Sequence, residues 1–140
     1  MEYVSRCIKI IELQENDSEL LGSAYNHRGY IYYYIFEDEK AEESYKKAYL
    51  IRKKLKNKKL LAQTVTNLGL LYQGMWKTNK EPMSQEAVKL LEASAQCQRE
   101  AIGIFEEIFD GKIHPNLASA YNNMAELQNS LQRFEDAEYY

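Results

Sequence analysis

Two histidines, His27 and His114, and two cysteines, Cys7 and Cys97, are the side chains of widest chemical range in this chain of 140 residues. A histidine could act as a general acid or base and a cysteine as a nucleophile, and all four could ligate a metal. Nothing in their spacing sets them up to do so. There is no HExxH, no glycine-rich phosphate loop, and no serine or cysteine in a recognisable nucleophile setting. His27 and Cys97 belong to different helical segments, and four nitrogen or sulfur ligands cannot be assembled from near neighbours. The cysteines form neither a CxxC nor a dense framework and read as reduced core or boundary residues. A lone histidine in a helix is ordinarily a surface or packing residue. The expectation is a protein that is not an enzyme and needs no metal or cofactor.

Charge narrows the partner class. Lys46, Lys47, Arg52, Lys53, Lys54, Lys56, Lys58 and Lys59 form a basic run that could contact an acidic peptide, RNA or an anionic surface. Cations at a helix C-terminus also complement its dipole, so the run reads first as a solvated face. Eighteen basic residues against twenty-one acidic leave a net charge of −3, which argues against nucleic acid as the principal partner. Hydrophobic residues make up 45% of the chain, with 12 tyrosines, too apolar for a disordered segment. No apolar run is long enough to span a membrane, and MEYVSRCIKIIELQEND lacks the basic start and apolar core of a signal peptide. A cytoplasmic protein without membrane contact is expected.

These side chains must be positioned by helices, since proline occurs 2 times, glycine 6 times, and strand-type alternation is absent. Tyr3, Val4, Cys7, Ile8, Ile10 and Ile11 share one broad face of a helix over Met1 to Gln14. Asn16, Asp17 and Ser18 are turn and cap candidates. Ser18 to Phe36 reads as the next helix. Glu37-Asp38-Glu39 ends it and puts negative charge at the start of another, which runs to about Lys56. Leu60 to about Trp76 follows, then a loop from Lys77 to Pro82. Ser84 caps a long helix in which Ala87, Leu91, Ala95, Ala101 or Ile102, Phe105 and Ile108 keep phase, interrupted mainly by Gln98. Gly111 stops it, Pro115 opens a further helix to about Gln132, and Phe134 to Tyr140 begins one more. About seven helices result.

The helices repeat. SAYNHRG at Ser23 to Gly29 returns as QTVTNLG at Gln63 to Gly69 and SAYNNMA at Ser119 to Ala125. Tyr25, Gly29 and Tyr32 share one helical face, and Ala41, Tyr45 and Ala48 share a face of the next helix. Val65, Leu68, Gly69 and Tyr72 match the first set, as do Tyr121, Met124, Ala125 and Gln128, followed by Phe134 and Ala137. This resembles the tetratricopeptide repeat (TPR), with Arg28 departing from its usual leucine. GKIHPNLASAYNNMAELQ with RFEDAEYY resembles the longer repeats of kinesin light chains in particular. Equivalent small residues lie 40 apart (69 − 29) and then 56 apart (125 − 69), so the second unit carries an insertion of close to four helical turns, expected within the long helix.

The resemblance implies an all-α, right-handed α-solenoid of antiparallel helix pairs. On it, residues 1–15 are the second helix of a partial preceding repeat, 18–57 are repeat one, 58–111 repeat two with its inserted helix, and 114–140 an incomplete repeat three. A chain starting and finishing inside repeats suggests a piece of a longer array. In such stacks first helices line a concave groove. Carried over residue by residue, that implies Ser23, Asn26, His27, Tyr30, Tyr33 and Tyr34 from repeat one. Gln63, Thr66, Asn67, Leu70 and Gln73 follow from repeat two, and Ser119, Asn122, Asn123, Glu126 and Asn129 from repeat three. Amides that both donate and accept could hold the backbone of an extended peptide, with the tyrosines as rigid anchors. Asn26 and Tyr30 stand where carboxylate-clamping members have a lysine and an asparagine, so a chaperone-tail clamp is not expected. The ligand should be polar-neutral or mixed, not strongly acidic.

The expected function is a scaffold for protein or peptide segments. One alternative is a sensor arm within a larger signalling or transcription protein. Another is an oligomerisation element acting through the long helix, where Met83, Val88, Leu90 and Leu91 would be exposed unless Met75 and Trp76 cover them.

Overall fold

Side-chain caps fix where several helices begin. Ser18 Oγ accepts from the Leu21 amide at 2.9 Å, Asn57 Oδ1 from Leu60 at 3.2 Å, and Ser84 Oγ from Ala87 at 3.2 Å, each meeting one of the orphan donors of a first turn. His114 does the same through Nδ1, accepting from the Asn116 amide at 3.1 Å beside Pro115 in the first helical position. The computed structural model describes residues 1–14, 18–81 and 83–139 and, within them, six helices and no strand. They are α1 (Glu2–Gln14), α2 (Glu19–Tyr34), α3 (Asp38–Lys54), α4 (Lys58–Lys77), α5 (Gln85–Phe109) and α6 (Pro115–Tyr139). Asn16, Asp17, Pro82 and Tyr140, together with the side chains of Phe134 and Ala137, lie outside the described residues.

The six helices described are close to the expected number of about seven, and the difference is that α6 does not break before Phe134. No glycine or proline lies between Leu131 and Phe134. Gln132 Nε2 donates to Asp136 Oδ1 at 3.1 Å, an i,i+4 bond that ties the helix together across the expected gap.

The chain forms two compact units, Met1–Leu68 and Gly69–Tyr140, with the division inside α4. In the first, Ile8 and Ile11 of α1 pack on Leu21 and Tyr25 of α2 and Ala48 and Ile51 of α3. Burying such side chains stabilises by about 1.5–3 kcal/mol each, offset by the entropy of ordering the chain. α2 and α3 approach closely because Gly29 has no side chain. A Cβ there would lie 2.6, 2.7 and 2.9 Å from three carbons of the buried Tyr45 ring. α3 also places Asp38 and Glu39 in its first turn and Arg52, Lys53 and Lys54 in its last, matching its macrodipole at both ends.

In the second unit, Leu91 and Ala95 of α5 form a core with Met124 and Leu127 of α6, with Trp76 from the end of α4 packed against it. Leu91 is therefore inside, Val88 and Leu90 are half-buried, and Met83 is exposed. Gln98 turns out not to interrupt the inward face. It is wholly buried and sits against Gly69, where a Cβ would come within 2.8 Å of its Nε2. Gln98 thus fills the place that Tyr45 fills against Gly29. Sixteen residues separate Gly29 from Tyr45 (45 − 29) and 29 separate Gly69 from Gln98 (98 − 69), so the surplus lies in this hairpin. It is shared among a longer α4, a longer turn and a longer start to α5, and is not confined to α5. Ser94 reinforces the pair by donating its hydroxyl to the Gly69 carbonyl at 2.8 Å.

Candidate functional site

The densest run of aromatic side chains in the sequence, YIYYYIF, spans the last turns of α2 and the turn after it. His27, Tyr30 and Tyr34 lie three and four residues apart, on one face of the helix. The His27 and Tyr30 rings stack at 6.5 Å between centroids, Tyr30 and Tyr34 meet at 4.6 Å, and Tyr34 meets Tyr33 edge-on at 5.3 Å. The ladder faces solvent, with Tyr30 47% and Tyr34 60% exposed. A hydrogen bond with Tyr34 pushes the Tyr30 hydroxyl above its ordinary value. Burial raises the pKa of the Tyr45 hydroxyl strongly, and Tyr33, Tyr30 and Tyr34 add to it.

One more exposed aromatic side chain follows the end of the helix, in a conformation that sequence reasoning missed. The amides of Phe36 and Glu37 donate back to the carbonyls of Tyr33 and Tyr32 at 3.2 and 3.0 Å, the reverse-turn pattern that ordinarily places glycine in the left-handed position. Phe36 occupies that position at φ 60° and is 84% exposed. The available signal was a Tyr-Ile-Phe-Glu helix end without glycine or asparagine.

The amide positions of the same unit behave differently. Asn26 is buried, and its Oδ1 accepts from Thr64 Oγ1 at 2.9 Å and from Asn67 Nδ2 at 3.3 Å. Thr64 in turn accepts from Arg52 Nη1 at 2.8 Å. Arg52 reaches the Leu60 carbonyl at 3.0 Å, Gln63 Oε1 at 3.1 Å and, through Nη2, Ser23 Oγ at 3.3 Å. It is 2% exposed, so the member of the basic run read as solvated is instead a buried cation held by neutral acceptors. Burial lowers its pKa, and Glu19 opposes that. Ser23, Asn26, Gln63 and Asn67 are thus joined in a polar seam binding α2, α3 and α4. Asn26 supplies packing there, while Gln63 remains exposed and Asn67 half-buried. The Thr66 hydroxyl is buried without a partner among the described residues.

In the second unit Gln73 is buried, Asn123 half-buried, and Asn122, Glu126 and Asn129 exposed. Asn122 Nδ2 donates to Glu126 Oε1 at 3.5 Å, so these two face each other along α6. Among the described residues no group of three or more His, Cys, Asp or Glu could hold a metal, and no helix is long and apolar enough to cross a membrane. Neither Cys7 nor Cys97 forms a disulfide.

Among solved structures, BtubC (BKLC) from P. vanneervenii matches with a TM-score of 0.76 and 19% identity over 99% of this chain. That protein is kinesin-light-chain-like and of TPR type. The fold is that of a TPR-like helical repeat. The chain spans 51% of the BtubC chain it matches. No family model and no curated protein matches the sequence. At this identity the likeness establishes architecture alone.

Proposed function

We propose that this chain is a protein-interaction scaffold that holds an extended peptide segment against the exposed face of α2, from His27 to Tyr34. The observation that carries the reading is the solvent-facing aromatic ladder. A chain that buries Tyr25 and Tyr45 almost completely keeps Tyr30 and Tyr34 outside, where rigid amphipathic rings are suited to anchoring a partner. Gln63, at the edge of the polar seam, offers an exposed amide in the same unit for the peptide backbone. In the second unit, Asn122, Glu126 and Asn129 present a polar face of their own on α6.

The reading takes residues 18–57 as one repeat, 58–111 as a second lengthened at its hairpin, and 114–140 as the start of a third. It places the protein in the cytoplasm, a setting compatible with two cysteines outside any disulfide, Cys7 exposed and Cys97 half-buried. Oligomerisation through α5 gains no support, because Leu91 is spent in the core with Met124 and Leu127.

An arrayed random-peptide library tests the proposal, probed with the parent chain and with Tyr30→Ser/Tyr34→Ser. Peptides captured by the parent and lost by a variant of unchanged helicity are expected. Equal capture by both proteins, or none by the parent, would remove the α2 face from consideration.

A further inference from the structure

The aromatic faces of this chain are divided between those that already carry a cation and those that do not. Arg28 lies 4.9 Å and Lys47 5.4 Å from the Tyr25 ring centroid, Lys40 5.7 Å from Tyr32, and Lys53 5.3 Å from Tyr49. Among the described residues, no lysine or arginine lies over Tyr30, Tyr33 or Tyr34. These include the most exposed rings of α2. An uncovered ring face presents the negative side of its quadrupole to solvent, where a cation is the preferred visitor.

The charges that follow the ladder along the chain are predominantly acidic. The turn after α2 and the first turn of α3 carry Glu37, Asp38 and Glu39, with Glu37 and Glu39 exposed. The nearest following cation, Lys40, is directed to Tyr32. The basic run collects at the opposite end of α3. Asn57 there reaches Glu19 at the start of α2, at 3.4 Å, and so fixes that end against the other terminus of the ladder helix. The field along the first unit therefore runs from acidic at the aromatic end to basic at the far end, attracting positive charge to one and repelling it from the other.

Building on the segment-binding function above, we propose that the ligand is a basic extended segment whose lysine or arginine side chains stack on Tyr30 and Tyr34 and pair with Glu37 and Glu39. Phe36, carried outward in a backbone position that glycine would occupy without steric cost, supplies the apolar contact for the stem of such a side chain. The charge gradient also sets direction. A segment with basic residues at one end and neutral or acidic residues at the other lies with its basic end at the α2–α3 turn.

The arrayed library tests this with its own readout, the charge of the captured set. Captured peptides are expected to be enriched in lysine and arginine. Affinity for a captured peptide should fall roughly five- to tenfold in Tyr30→Leu/Tyr34→Leu, the loss of two exposed cation–π contacts. In Glu37→Gln/Glu39→Gln it should fall roughly threefold, with the difference shrinking as salt rises. Phe36→Gly should weaken binding without loss of helicity. Neutral or acidic peptides captured by the parent and lost on Tyr30→Leu/Tyr34→Leu would overturn the basic-ligand inference and leave the α2 face as a segment-binding site. Basic peptides held equally by parent and ladder variant would overturn both. A molecular mass that rises with concentration and falls back in the ladder variant would identify a second copy as the occupant and overturn the peptide assignment.

Discussion

Gly29 gives the most direct test of the packing that presents the ladder. Replacing it with alanine adds a Cβ at 2.6, 2.7 and 2.9 Å from three atoms of the Tyr45 ring, where real Cβ atoms are essentially never found. The ring is rigid and enclosed, so the helices must separate or Tyr45 must leave its rotamer. Overpacking of this kind costs about 1–3 kcal/mol. The same substitution returns about 1 kcal/mol of helix propensity, so a net loss of up to about 2 kcal/mol is expected.

Two other glycines calibrate the number. Gly103, in α5, has nothing within 4 Å of an added Cβ, and Gly103→Ala should stabilise by about 0.5–1 kcal/mol. At Gly69 the nearest atom is Gln98 Nε2 at 2.8 Å, the end of a longer and more adaptable side chain, and Gly69→Ala should fall between the other two. Urea denaturation followed by circular dichroism gives all three values, and pairing Gly29→Ala with Tyr45→Leu should remove most of its penalty. If Gly29→Ala stabilised the chain as much as Gly103→Ala, the close approach of α2 to α3 would be wrong.

Other outcomes follow from the same packing. Burial first, and then Glu12, pushes the Tyr25 hydroxyl up to about 12. Its neutral form therefore contributes stability that is fully present below pH 10 and is lost as pH rises toward 12, and Tyr25→Phe should flatten that limb of a urea-midpoint-versus-pH curve. Thr64→Val removes both the acceptor for buried Arg52 and the donor to Asn26, and should cost about 2 kcal/mol by the same denaturation assay. His114→Ala deletes a ring stacked 3.9 Å from Phe109 and the acceptor for the Asn116 amide, and should cost about 1 kcal/mol, with faster amide exchange at the start of α6. Phe36→Gly should raise stability by about 1 kcal/mol by relieving a left-handed backbone at φ 60°, while weakening peptide capture.

Local chemistry was legible in the sequence wherever one residue acts on its near neighbours. Ser18 and Ser84 announce helix starts, Pro115 opens α6, and Gly111 stops α5 by taking φ 78° directly after a left-handed Asp110. Spacing placed Gly29 and Tyr45 each on the packing face of its own helix, and their contact with one another is visible only in the structure. Gln98 was hidden because periodicity scores a polar residue as a break, and its place becomes clear only with Gly69 opposite it. Arg52 was hidden among lysines, although only an arginine can spread several donors over Ser23, Leu60, Gln63 and Thr64. Asn26 stood at a position that the repeat resemblance assigns to a groove. Its carboxamide is instead engaged by two donors from α4, which no spacing within α2 could reveal.

The division between the two units falls between Leu68 and Gly69, in the middle of a continuous helix. Most modular proteins can be cut, swapped or lengthened at a linker, where few backbone hydrogen bonds are at stake. Here a break at the boundary would leave each side with about ten residues of helix, too short to hold its own ladder in water. Recombination at that point would damage both products, whereas added residues in the turn between α4 and α5 would disturb neither lock. A lineage of such chains should vary in length at the hairpin and exchange its parts at the turns, with α4 inherited whole.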